Sequence, residues 1–258
     1  MNKTVIIIAT SLIALISVSF LHAKTDLVER SFEVEPGGTF MIDTDSGSIE
    51  VSSHNKDTVE VQVEKKGNKP EDFELSFSQN GDTIKVVGDR KGMSFFGSNG
   101  AHFVVKVPSQ FNLDLKTSGG SIELTSLNGK VDAYTSGGSI KLGKIRGDVD
   151  VKTSGGSIRV DEVAGTINAH TSGGSITANI SQQPLGNSRL TTSGGSVSAY
   201  LDPSVAVDLT ASTSGGRVSS EFAVDGSVKK TRISGKINGG GPKLVLKTSG
   251  GSVRVKKL

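Results

Sequence analysis

Apolar positions return at every second residue through much of this chain. Thr58-Val59-Glu60-Val61-Gln62-Val63 alternates strictly, Thr83-Ile84-Lys85-Val86 does the same, and His102 to Val107 follows in part. A period of two marks strands with one buried face. Pro36-Gly37-Gly38, Asn80-Gly81-Asp82 and Ser98-Asn99-Gly100 supply the bends between them, and Lys91 to Gly97 reads as an exposed loop. No stretch carries the apolar spacing of a long amphipathic helix.

From Thr117 onward the alternation is organised by a repeat. Thr117-Ser118-Gly119-Gly120-Ser121-Ile122 recurs at Thr135, Thr153 and Thr171 with a period of 18, then at Thr192 and Thr213 with a period of 21. A weaker copy stands at Ile233-Ser234-Gly235-Lys236-Ile237, and the motif returns intact at Thr248. Thr44-Asp45-Ser46-Gly47-Ser48-Ile49 is a degenerate early version. A second glycine signal lies inside each 18-residue unit, at Gly129, Gly147 and Gly165. Each unit therefore holds two short strands. A unit this short cannot bury its own apolar face, so neighbouring units must stack as ladders about 4.8 Å apart. The expectation is an all-β parallel β-helix or solenoid of about 18-residue coils, piled in chain order through eight rungs.

Alternation also assigns faces. Val131 and Ala133 point inward, Asp132 and Tyr134 outward, and Thr135 inward at its strand end. The double glycines then form corners, for which positive φ is the expected reason. The hydroxyls beside them bond to backbone groups that the turns leave unpaired.

Composition sharpens this reading. The 258 residues include 33 glycines, 5% aromatics and no Trp, so the core must be built from small and β-branched side chains. Net charge is +3, and basic residues look interspersed with acids, a balance that predicts neither steering nor a phosphate-binding footprint. Met1-Asn2-Lys3, the apolar Thr4 to Phe20 and the exit Leu21-His22-Ala23 read as a signal peptide, with the mature chain starting at Lys24. No second hydrophobic span follows it. With no Cys there is no disulfide framework and no thiolate metal site. The organisation expected is a leader over 1–23, an irregular β N-terminal region over 24–116 that is either a cap covering an otherwise open ladder end or the first, wider coils of the same solenoid, and the repeat solenoid over 117–258.

On F-E-V-E-P-G-G (Phe32 to Gly38), the Asp45-Ser46-Gly47-Ser48-Ile49 step, the T-S-G-G-S-I units and the closing Gly239-Gly240-Gly241 with Leu244 to Val255, the chain resembles the putative-adhesin family, a domain of unknown function in exported bacterial β-strand-repeat proteins. The resemblance implies an extracytoplasmic protein with a right-handed β-helix-like fold, the hand that parallel crossovers also favour. It transfers no catalytic or ligand residues.

The double glycines lack the helix and the Lys-Ser/Thr of a P-loop, and the T-S-G-G-S turns lack the carboxylates of a calcium-binding roll. One cluster has chemical potential. Asp132, Asp150 and Asn168 form one outward column and Tyr134, Lys152 and His170 a second, a candidate ligand-binding face. Paired carboxylates on adjacent rungs match one hydrolytic spacing, although Lys130, Lys152 and Arg146 stand near enough in sequence to neutralise them. His54 and His102 are isolated in sequence, and no spacing suggests a metal site. The Ser121, Ser139, Ser157 and Ser175 column is read as turn chemistry.

These features predict a non-catalytic exported solenoid, periplasmic or extracellular, acting as an adhesin, binding or scaffold protein of the cell envelope. An envelope glycan or surface protein is the expected partner. No cofactor, metal or nucleic acid is expected, nor a transmembrane segment once the leader is removed, and the chain should be monomeric or weakly self-associating end to end. The competing reading is a carbohydrate-active β-helix enzyme using Asp132 and Asp150.

Overall fold

A computed structural model describes residues 26–67, 70–91 and 100–258. The predicted leader over 1–23 and residues 92–97 of the expected loop lie outside them. In chain order the strands are β1 (Asp26–Glu33), β2 (Thr39–Thr44), β3 (Gly47–His54), β4 (Thr58–Lys66), β5 (Phe73–Asn80), β6 (Thr83–Arg90), β7 (Gly100–Pro108), β8 (Asn112–Thr117), β9 (Ile122–Asn128), β10 (Val131–Thr135), β11 (Ile140–Arg146) and β12 (Val149–Thr153). They continue with β13 (Ile158–Val163), β14 (Ile167–Thr171), β15 (Ile176–Ile180), β16 (Ser188–Thr192), β17 (Val197–Leu201), β18 (Val207–Thr213), β19 (Val218–Ser220), β20 (Asp225–Lys229), β21 (Arg232–Ile237), β22 (Lys243–Thr248) and β23 (Val253–Lys257). The fold is all-β. Among the described residues the one helical element is a single 3₁₀ turn at Pro70–Asp72.

Each coil gives one strand to each of two facing sheets, and the T-S-G-G-S corner carries the chain from one sheet to the other. The expected 18-residue register holds: Val131 pairs with Val149 and Val149 with Ile167 in one sheet, Ile122 with Ile140 and Ile140 with Ile158 in the other, all parallel. The core fills the space between the sheets. Val131, Ala133 and Thr135 are buried as alternation predicts. The repeat coils bury Val, Ile, Leu and Ala, whereas Phe40, Phe73, Phe103 and Phe111 are fully buried at the N-terminal end.

Coil order departs from chain order at both ends. The larger sheet runs β20-β21-β18-β22-β16-β14-β12-β10-β8-β2-β6-β5, and the other β1-β4-β7-β3-β9-β11-β13-β15-β17-β23-β19. The stack is therefore nine coils, and the expected sequential pile of eight is corrected. The final coil, β22 and β23, inserts between β16/β17 and β18/β19, and the first, β2 and β3, lies inside β6/β7. Antiparallel strands close the ends: β1 on β4 on β7, β5 on β6, and β20 on β21 on β18. These borders replace three of the four open parallel edges, which would invite pairing with another chain; the fourth is the three-residue strand β19, parallel to β23. The weaker motif copy at Ile233 to Ile237 is part of one such border strand, β21, and not a coil.

The reason for the double glycines is also corrected. Neither residue of a repeat-corner pair has positive φ. The second glycine is required by close approach, because a Cβ on Gly138 would overlap the carbonyl of Gly120, and one on Gly156 that of Gly138. The first is freer: a Cβ on Gly137 would meet Gly119 O at an ordinary 3.6 Å.

Candidate functional site

The inward threonines are structural. Each hydroxyl donates to the carbonyl of the second corner glycine one coil away: Thr117 to Gly47 (2.9 Å), Thr135 to Gly120, Thr153 to Gly138 and Thr171 to Gly156 (2.7 Å each). Thr192 to Gly174, Thr248 to Gly195 and Thr213 to Gly251 continue the column through the inserted coil. The serines after the glycines also link coils, on the outside and as acceptors. Ser121 Oγ accepts from Ser139 N–H at 3.1 Å and Ser139 Oγ from Ser157 N–H at 3.2 Å, so this column bridges coils where a turn-local role was expected.

The six outward residues singled out from sequence stand in two rows on the larger sheet. Parallel register places Asp132 beside Asp150 beside Asn168, and Tyr134 beside Lys152 beside His170. Both carboxylates are engaged. Asp132 pairs with Lys130 at 2.7 Å, and Asp150 accepts from Asn168 Nδ2 at 3.1 Å. Lys152 and Arg146, expected to neutralise these acids, form no ion pair within 4.0 Å among the described residues. The hydrogen bond to Asp132, reinforced by its charge, raises the pKa of Lys130; Asp114 raises that of Lys116 in the same way. His170 Nδ1 lies 2.9 Å from Thr191 Oγ1, and Tyr134 OH 3.3 Å from Ser136 Oγ.

Sequence reasoning missed how far the second row extends. Beyond His170 it passes to Thr191, Lys247 and Ser212, then to Arg232 and Lys229 on the border hairpin. Lys247 comes from the inserted coil and Arg232 from an antiparallel strand, so no fixed period could have aligned them. A shallow depression lined by Asn168, Asn187, Ser188, Arg189, Lys243 and Val245 runs alongside.

His102, isolated in sequence, is not isolated in space. Its Nδ1 lies 2.7 Å from Ser48 Oγ and its Nε2 3.6 Å from Glu50 Oε1, an acid, imidazole and hydroxyl in the order of a hydrolase triad. The surroundings do not complete one. Ile49 N–H, the amide next to the serine, donates to Ser121 O at 2.9 Å and is not free to hold an oxyanion. Among the described residues no group of three or more His, Asp or Glu is placed to hold a metal ion, and no helix is long and apolar enough to cross a membrane.

Residues 143–256 match the family model described as Toastrack DUF4097, which bears out the family resemblance and the solenoid reading. No curated protein matches the sequence. Among solved structures, a putative cell adhesion protein from Clostridium sporogenes is 14% identical with a TM-score of 0.38, over 91% of this chain and 100% of that one. A putative adhesin from Bacteroides fragilis is 12% identical with a TM-score of 0.41, over 90% of this chain and 97% of that one. A putative lipid binding protein from Parabacteroides distasonis is 11% identical with a TM-score of 0.34, over 90% and 96%.

Proposed function

We propose that this chain, which carries a Toastrack DUF4097 domain over residues 143–256, is a non-catalytic exported solenoid that presents its larger sheet to an envelope glycan or surface protein, as an adhesin or scaffold. The observation that carries this reading is the outer face itself: Asp132, Tyr134, Asp150, Lys152, Asn168 and His170 stand in straight rows on adjacent parallel strands. A straight row of polar side chains at fixed spacing suits repeated contacts with an extended partner. Both candidate carboxylates are already held, one by Lys130 and one by Asn168, which weighs against a glycosidase that needs one acid and one free nucleophile or base. The leader over 1–23 supports export to the periplasm or beyond.

The test is to express the full chain in a bacterial host, sequence the N-terminus of the exported product, and probe it on bacterial glycan arrays and isolated envelope. An N-terminus at Lys24 with retention on envelope material and no sugar release is the expected result. No contact with any envelope material overturns the binding role. Sugar release abolished by Asp132→Asn with Asp150→Asn installs the enzyme in its place.

A further inference from the structure

Charge is sorted along the stack in a way the net value conceals. Residues 26–134 hold eleven Lys and Arg against eighteen Asp and Glu, a net of −7, whereas residues 185–258 hold eleven against four, a net of +7. The interspersed, non-steering distribution expected from the sequence is thereby corrected: coil stacking makes one end acidic and the other basic.

At the basic end exposed cations stand without an ion pair on both sheets among the described residues, Arg254 on the smaller one; what differs is how the cations are aligned farther along each sheet. In the middle coils the outer face of the smaller sheet matches its cations to carboxylates: Lys141 to Glu123 at 2.5 Å, Arg159 to Asp161 at 2.7 Å and Lys144 to Glu162 at 3.5 Å. On the larger sheet Lys152, Lys247, Arg232 and Lys229 are all exposed, and none forms an ion pair within 4.0 Å among the described residues. They share one row, with His170, Thr191 and Ser212 between them, and from Tyr134 to Lys229 this row contains no carboxylate. Eight strands carry it, a length of about 34 Å at the usual strand spacing. Cations left unmatched in a line on a folded surface repel one another and gain from an extended anion laid across them.

We infer that this row is a binding track for a linear acidic polysaccharide, seated on Lys152, Lys247 and Arg232. The inference rests on the binding role proposed above and names its ligand class. Three features favour a glycan over a nucleic acid. His170 and Thr191 lie between Lys152 and Lys247, and Ser212 between Lys247 and Arg232, which suits sugar hydroxyls between widely spaced carboxylates or sulfates. Tyr134 is the one aromatic in the row, too few for the stacking platform that single-stranded nucleic acid uses. Lys152 and Lys247 stand three strands apart, about 14 Å at the usual strand spacing, a sparse match for a duplex bearing a charge every 1.7 Å or so. The depression beside the row adds the Asn168 amide and the Arg189 guanidinium within reach of the same chain.

The experiment compares the full chain with two charge-matched variants, Lys152→Gln/Lys247→Gln/Arg232→Gln on the track and Lys141→Gln/Lys144→Gln/Arg159→Gln on the opposite sheet. Each is titrated with polygalacturonate, hyaluronate, dextran and polyphosphate at two salt concentrations, with thermal melting to confirm that the fold is kept. Salt-dependent binding of polygalacturonate or hyaluronate is expected, weakened about tenfold or more by the track variant and little by its counterpart. Equal weakening by both variants reduces the effect to net charge and overturns the track. Tighter binding of polyphosphate overturns the glycan as occupant. Binding of dextran alone, or of other envelope material indifferent to the track variant, overturns this inference while leaving the proposed binding role standing; the absence of all binding removes both.

Discussion

Thr135 donates its hydroxyl to the carbonyl oxygen of Gly120 one coil away, at 2.7 Å, and the same hydroxyl accepts from Gly138 N–H at 3.3 Å. One buried side chain thus closes its own corner and ties it to the next. Repeated down the stack, this joint explains why the motif needs Thr at its first position and Gly at its fourth.

Replacing Thr153 with Val keeps shape and apolar contacts but leaves Gly138 O and Gly156 N–H without this partner. A loss of about 1–3 kcal/mol is expected. Thr153→Ser keeps the hydroxyl and loses one buried methyl, about 0.8 kcal/mol. Urea unfolding of the three proteins checks the order wild type, Ser, Val.

The two corner glycines should respond unequally. Gly138→Ala forces a Cβ into the Gly120 carbonyl and should cost about 3 kcal/mol or more, because backbone on both sides must move. Gly137→Ala places its methyl at ordinary contact distance and should cost less than about 1 kcal/mol. Similar melting temperatures for the two variants would remove the close-approach explanation.

Acid should weaken the joint between two coil corners. The side-chain hydroxyl and backbone N–H of Thr166 both bond to Asp148 and hold its pKa below the ordinary aspartate range. A lowered folded-state pKa means the contribution is complete above the unfolded value, near 3.9, and is lost as pH falls through the folded value. Asp148→Asn should therefore be less stable than wild type at neutral pH, and the difference should shrink below about pH 4. Stability measured from pH 7 down to pH 2 checks this; a gap that widens with acid would contradict it.

The inserted coil makes the C-terminus structurally internal. Deleting residues 243–258 removes β22 and β23 from between β16/β17 and β18/β19 and leaves two ladder faces that were never neighbours. Loss of a cooperative transition and aggregation through open edges are expected. Retention of a sharp melt with only a small shift would show that the flanking coils can close the gap.

The period of two and the T-S-G-G-S spacing, read alone, determined the all-β solenoid, two strands per coil, the inward Thr135 and the rows of Asp132 with Asp150 and of Tyr134 with Lys152. These are legible because side-chain direction and corner placement depend on a few adjacent residues. Coil order was not legible. The corners at Thr192, Thr213 and Thr248 offer nearly the same hydrogen bonds to any neighbour, so local pattern does not say that 248 stacks between the other two. Neither was the hairpin fate of Ile233 to Ile237, whose apolar ends suit a coil and a border strand equally. The meeting of His102 with Ser48 and Glu50, and the alignment of Lys247 and Arg232 with Lys152, follow from those choices. Faces are set by neighbours in the chain; rows across a sheet are set by which strands pair, and pairing is a property of the whole stack.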